Sequence, residues 1–176
     1  MSDAPSTRLP ISRNLVVRPA VPSDGPALVM LAAALHQHQG DPIGQFTPEV
    51  IARDVFGPQA IVQALIAELD DKPVGYALLH NAYESAHAAR GFYVTDFFVA
   101  DEARSRGVGR VLMAACATFA RNHGGSFVWW VSKAWNVEAQ KFYRTISPIE
   151  EPIMAHALTF EKFATLASEG EAHLVA

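Results

Sequence analysis

The chain has one cysteine, Cys116, in 176 residues. A single thiol makes neither an internal disulfide nor a cysteine metal site, and a reduced, cytoplasmic setting is the expectation. Positive charge is also short: 14 Lys and Arg against 18 Asp and Glu give a net charge of −4, with a pI near 5.9. General nucleic-acid binders mass a basic surplus on one face, so nucleic acid is not an expected partner. No apolar run has the length of a membrane span, and residues 1–12 are polar and carry prolines without the apolar core of a secretory leader. Membrane association and export are therefore not expected. The 7 histidines offer only His36 and His38 as a close pair. Positions i and i+2 point to different sides of a helix and no third ligand follows, so no metal is expected.

What is present is a hydrophobic half of the composition, enough for the core of one domain. We place that domain at 13–168, between a flexible segment at 1–12 and a tail at 169–176. Residues 14–18 alternate as a strand and stop at Pro19. Ser23 or Asp24 then caps a helix through Leu28, Leu31 and Leu35. The run from His36 to Pro42 is a predicted loop, and Thr47-Pro48-Glu49 opens a second helix ending near Gly57. Strands at 61–69 and 74–80, joined across Asp70-Asp71-Lys72-Pro73, read as a hairpin. After a less regular 82–90 come a strand at 91–99, a glycine loop, a helix at 109–122 closed by Gly124-Gly125, and a strand at 127–131, a βαβ unit. Asn136 caps a short helix to Arg144, residues 155–159 are a candidate final strand, and an amphipathic stretch carries Phe163 and Leu166.

The informative run is Arg104-Ser105-Arg106-Gly107-Val108-Gly109, set where a strand gives way to a helix. Glycines let a backbone approach a ligand closely, the helix presents its positive end, and two arginines add charge, so a phosphate is the natural occupant. A plain tight turn is the competing reading. A dinucleotide fingerprint is missing its third glycine, because Leu112 stands there, and no Gly-Lys-Ser or Gly-Lys-Thr completes a P-loop.

With Asp96-Phe97-Phe98-Val99 before this loop and Trp135-Asn136 and Phe142-Tyr143 after it, the chain resembles the acetyl-coenzyme A dependent N-acetyltransferases of the GNAT superfamily. Within them it is most similar to the diamine and polyamine (spermidine/spermine) branch. Thr47, Asp54, Phe56, Gly57 and Ala67-Glu68 extend the likeness over about 15–166. The resemblance implies an α/β fold with a central mixed, mostly antiparallel, splayed sheet of about six to seven strands and about four flanking helices. It also implies acetyl-coenzyme A as co-substrate, a small-molecule amine as acceptor, direct attack in a ternary complex, and a homodimer formed near the C-terminus.

The resemblance assigns the loop residues Arg104, Ser105, Arg106, Gly107, Val108, Gly109 and Arg110 to the coenzyme diphosphate. It assigns the main chain of Phe97, Phe98 and Val99 to the pantetheine arm, with Asn136 and Phe142 as further cofactor contacts; Asn136 also reads as a plain helix cap. Tyr143 matches the tyrosine that protonates the departing thiolate, a role suited to a phenol with a reference pKa of about 10. The acceptor arrives as an ammonium ion and must lose a proton. Where relatives carry a glutamate before Asp-Phe-Phe-Val, this chain has Thr95. A water relayed by backbone groups and Thr95 is the preferred route; Asp96 is the base if its face opens to the site, and a structural carboxylate otherwise. Strand alternation puts Thr95 and Asp96 on opposite faces. His36, His38 and Glu84 are the candidate acceptor contacts. His36-Gln37-His38-Gln39 replaces acidic residues of relatives, which disfavours a long polyamine. The relatives' glycine after Tyr143 is here Arg144-Thr145, so that turn takes another path, and residues 148–152 are read as shaping the acceptor pocket or a dimer contact. The other readings are a non-catalytic acyl-coenzyme A sensor, an acetyltransferase acting on a protein or peptide amine, and a general nucleotide-binding domain.

Overall fold

The computed structural model describes residues 14–147, 149–171 and 173–174. The expected flexible segment at 1–12 lies outside the described residues, as do Pro148 and three positions of the tail. The chain divides into two units, Met1–Trp135 and Asn136–Ala176.

In the first unit, β1 (Leu15–Pro19), β2 (Gln63–Leu69), β3 (Lys72–Glu84), β4 (Ala89–Val99) and β5 (Phe127–Trp130) form one sheet in chain order. The first three pairings are antiparallel, and β4 with β5 is parallel. The mixed, mostly antiparallel sheet expected from the sequence is present, with five strands among the described residues instead of six to seven. Residues 155–159 form no strand.

Helices α1 (Gly25–Gln39) and α2 (Pro48–Asp54) cover one face of the sheet. Leu28, Leu31, Leu35 and Ile51 are buried there against Ala64, Tyr76, Leu78 and Phe98. Helix α3 (Val108–Asn122) covers the other, burying Val108, Leu112, Met113, Cys116 and Ala120, a spacing that keeps one stripe inward. Each such leucine withdrawn from water contributes about 1.5–3 kcal/mol. Thr47 accepts a hydrogen bond from the Val50 amide and Pro48 opens α2, as the sequence predicts.

Asp70 and Asp71 have φ of 52° and 60°. Two left-handed residues in succession match the right-handed twist of a hairpin, and β2 turns directly into β3. Two local expectations are corrected. Residues 82–90 are not irregular: β3 and β4 run on to a tight turn, with Glu84 paired to Ala89. His36, His38 and Gln39 are not in a loop but in the last turn of α1, which ends at Gly40 with φ 72°.

The second unit contains α4 (Val137–Arg144) and α5 (Phe160–Glu171). The expected tail beginning at 169 is therefore helical through Glu171. With the first three this makes five α-helices among the described residues, against about four expected.

Candidate functional site

The pairing of β3 with β4 slips between Leu78 and Leu79: Leu78 faces Asp96 while Leu79 faces Val94, leaving Thr95 as an extra residue. This is a β-bulge, and it reverses which side of the sheet the even-numbered residues occupy. Before it, Phe92 packs edge-on against Phe119 of α3, with ring centroids 5.5 Å apart. After it, Phe98 belongs to the α1–α2 core. Alternation therefore does not carry through Thr95 as the sequence suggests. Asp96 shares the α1–α2 face with Tyr76 and Phe98, and the exposed Thr95 directs its hydroxyl to the Leu78 carbonyl at 3.4 Å.

The bulge also marks where β4 parts from β5. Their parallel ladder runs from Gly91↔Phe127 to Val94↔Trp130 and stops, whereas β4 continues to Val99 against β3. Thr95, Asp96, Phe97, Phe98 and Val99 all lie on this diverging portion. Phe98 is 6% exposed, so its side chain is core packing.

Beyond Val99, a 3₁₀ turn at Asp101–Ala103 leads into the glycine loop. Ser105 (φ 59°) and Gly107 (φ 84°) are left-handed, and α3 begins directly after Gly107. Left-handed residues at two alternate positions bend the chain sharply into the helix, and the glycine N-cap brings no side-chain bond to the helix start. The first amides of α3 thus gather at a helix N-terminus, where an anion is favoured. Arg104 is bound locally: Nε donates to the Val99 carbonyl at 3.0 Å, and the guanidinium meets Asp101 at 2.7 Å and lies over the Phe98 ring, 5.8 Å from its centre. It fixes the end of β4 to the loop. Arg106 lies 3.8 Å from Asp70, a loose ion pair.

On the α1–α2 face, Tyr76 Oη donates to Asp96 Oδ2 at 2.6 Å. Burial first, then the Asp96 charge, pushes the Tyr76 phenol far above its usual range. His38 packs its ring against Trp135 at 5.7 Å, and Lys133 pairs with Asp41 at 3.2 Å, tying the segment after β5 to the end of α1. Among the described residues, no group of His, Cys, Asp and Glu is arranged to hold a metal ion.

Glu84 is not brought to this region. It sits at the β3–β4 turn, where its carboxylate accepts from the Ala86 and His87 amides at 2.7 and 2.9 Å and pairs with the His87 ring. Along a strand rising about 3.3 Å per residue, that turn is at the opposite end of β4 from the glycine loop. Glu84 is a turn-forming residue, which corrects its assignment to the acceptor.

In the second unit, Asn136 Oδ1 accepts from the Ala139 amide at 3.1 Å and caps α4, as one of its two readings requires. Phe142 and Tyr143 are neighbouring rings, 5.3 Å apart. The turn after Tyr143 closes without glycine. Thr145 Oγ1 donates to the Phe142 carbonyl at 2.6 Å, the Ser147 amide donates to the Tyr143 carbonyl at 2.8 Å, and Arg144 grips Glu150 at 2.6 and 2.7 Å.

The partners of two residues come only with the structure: the register sets the Tyr76 hydroxyl opposite a carboxylate, and Trp135, one of the motif residues, packs against His38.

The family model described as the Acetyltransferase (GNAT) family matches residues 32–146. The chain is 33% identical over 91 residues to an L-ornithine N5-acetyltransferase of Arabidopsis thaliana, covering 52% of this chain and 37% of that protein. It is 28% identical over 127 residues to a thialysine N-epsilon-acetyltransferase of Sus scrofa, covering 66% and 74%. It thus spans well under half the length of the first relative. Among solved structures, an integron cassette protein from the mobile metagenome of V. cholerae superposes with a TM-score of 0.73 at 22% identity, over 89% of this chain and 99% of that one. An aminoglycoside acetyltransferase from an uncultured soil metagenomic sample gives 0.71 at 20%, over 86% and 100%. At those identities the likeness is one of fold. The match to the family model over most of the chain carries the conclusion: this chain belongs to the GNAT acetyltransferase family.

Proposed function

We propose that the chain is an N-acetyltransferase that moves an acetyl group from acetyl-coenzyme A to the primary amine of a small acceptor within a ternary complex. The observation that carries this reading is the parting of β4 from β5 at Thr95, with the end of β4 leading through a short turn into a loop, left-handed at Ser105 and Gly107, that opens α3. A diphosphate suits the loop amides of Gly107, Val108 and Gly109, with Arg104, Ser105, Arg106 and Arg110 around them, and an extended pantetheine arm suits the strand edge at Phe97, Phe98 and Val99. Asn136 and Phe142 join the cofactor contacts on the strength of their motif positions.

In the proposed chemistry the neutral amine attacks the thioester carbonyl carbon, the carbon–sulfur bond breaks, and Tyr143 gives its proton to the departing sulfur. The amine's own proton leaves through a water held near Thr95. Tyr143 takes this role from its match to the family motif, and its chemistry suits a donor. His36 and His38 lie on the last turn of α1, His38 against Trp135, and offer imidazoles instead of carboxylates to the acceptor. That favours a compact amine over a long polycation. The names of the ornithine and thialysine relatives specify a side-chain amine of an amino acid, and we propose that class of acceptor here.

The same reading includes a cytoplasmic homodimer, and apolar side chains exposed on the second unit, among them Met154, Phe160 and Phe163, support the dimer. Light scattering that finds a monomer at high concentration removes the dimer. The activity is tested by release of free thiol from acetyl-coenzyme A with ornithine, lysine, short diamines, aminoglycosides and peptide N-termini. Amine-dependent release is expected for at least one small amine. Peptides alone as acceptors would move the assignment to protein or peptide amines. Coenzyme binding without release for any amine would make the chain a sensor.

A further inference from the structure

Tyr76 is fully buried in a cluster that is otherwise apolar: Leu28, Leu31, Leu35, Ile51, Leu78 and Phe98 surround its face of the sheet. A phenol in such a place costs free energy unless its hydroxyl is bonded, and a phenylalanine would fill nearly the same volume without that cost. The hydroxyl therefore calls for a reason, and its partner supplies one. Asp96 Oδ2 accepts from it at 2.6 Å. Asp96 is only half-buried, and no hydrogen bond to its Oδ1 is present among the described residues. It lies immediately after the bulge, on the part of β4 that has left β5. The phenol stays protonated across the working pH range and donates throughout, so the carboxylate is held in one orientation.

We propose that Tyr76 is a positioning residue: by clamping Oδ2 of Asp96 it fixes a carboxylate, at the point where the two strands separate, that receives the acceptor's ammonium nitrogen. The ligand class is the primary ammonium group of a small aliphatic amine. The bulge is what allows this, because with unbroken alternation through Thr95, Asp96 would share the α3 face with Phe92 and Val94 and point away from Tyr76. The kinetic part of the inference rests on the acetyltransferase reading; the ammonium contact does not. It assigns Asp96 to holding the nitrogen and leaves proton removal to the water near Thr95.

The test combines Tyr76→Phe, Asp96→Asn and the double variant. Tyr76→Phe should raise KM for the amine about tenfold while KM for acetyl-coenzyme A stays unchanged. Asp96→Asn should raise it at least as much, and adding Tyr76→Phe to Asp96→Asn should change nothing further. A wild-type amine KM in Tyr76→Phe, or two effects that simply multiply, would overturn the proposal, since a purely structural tyrosine acts in either background. A second measurement needs no turnover. The carboxyl carbon-13 signal of Asp96, identified by its loss in Asp96→Asn, should shift saturably as 1,4-diaminobutane is added to the full chain with coenzyme A present. In Tyr76→Phe the same titration should need about tenfold more diamine. No shift in the unsubstituted protein overturns the inference. A shift that persists when no amine accelerates thiol release sinks the acetyltransferase reading and leaves this one standing.

Discussion

Replacing Asp24 with asparagine should destabilise the protein by about 2 kcal/mol at neutral pH, and the deficit should fade in acid. The Asp24 side chain is 9% exposed and accepts from both terminal nitrogens of Arg18, at 2.7 and 2.9 Å, and from the Val21 amide at 2.7 Å. Arg18 also reaches Glu68 at 2.6 Å, so the cluster joins β1 and β2 to the start of α1. Breaking a fully buried ion pair costs about 3–5 kcal/mol; Arg18 is a third exposed here and keeps Glu68, which brings the figure to about 2 kcal/mol. The Arg18 hydrogen bonds hold the Asp24 carboxyl below its ordinary range, against the opposing effect of burial. A folded-state value below the unfolded one contributes stability above the unfolded value, about pH 4, and loses it as pH falls through the folded value. Urea unfolding of wild type and Asp24→Asn at pH 7 and at decreasing pH is the assay, with a melting temperature lower by about 4–8 °C at pH 7 as the thermal counterpart. Equal midpoints at pH 7, or a gap that does not narrow on acidification, would refute the reasoning.

Gly75→Ala should cost about 1–3 kcal/mol and weaken acetyl-coenzyme A binding, because a methyl group there would lie 2.7 Å from the Phe98 carbonyl oxygen and push on the diverging strand. Unchanged unfolding and cofactor affinity would contradict it. Cys116 is fully buried and its thiol is pushed up to about 12, so Ellman's reagent at pH 8 should react only after denaturant is added. Rapid native labelling would show that α3 opens readily. Tyr143→Phe should lower turnover at least about tenfold with cofactor affinity preserved, and wild-type turnover would remove Tyr143 from the chemistry.

Local signals carried far in this chain. Thr47-Pro48 and the apolar stripe of α3 are short-range codes, and each produces the element it predicts. Asp70-Asp71 does the same for the β2–β3 hairpin, because aspartate tolerates the left-handed pair that the turn needs. The β3–β4 turn was hidden because it lacks glycine and asparagine, with Ala88 taking the left-handed position at φ 51°. Residues 155–159 alternate like a strand, but alternation supplies no neighbouring strand to pair with.

The glycine loop was legible from composition and place, while the details around it depend on register. The bulge at Thr95 arises from the fit of β4 against β3, and no residue type in the run announces it. Tyr76 and Asp96 are far apart in sequence and meet only through that pairing. Glu84 was misplaced for the same reason, since its turn was not foreseen.

The central claim is that the loop at Arg104–Gly109 holds the diphosphate of coenzyme A. Calorimetry of the full chain with coenzyme A, and with ATP and NAD as controls, tests it most directly. One coenzyme A bound per chain, weakened at least about tenfold by Gly107→Val and not displaced by ATP or NAD, is the predicted result. No association with coenzyme A, or ATP or NAD displacing it, would contradict the account.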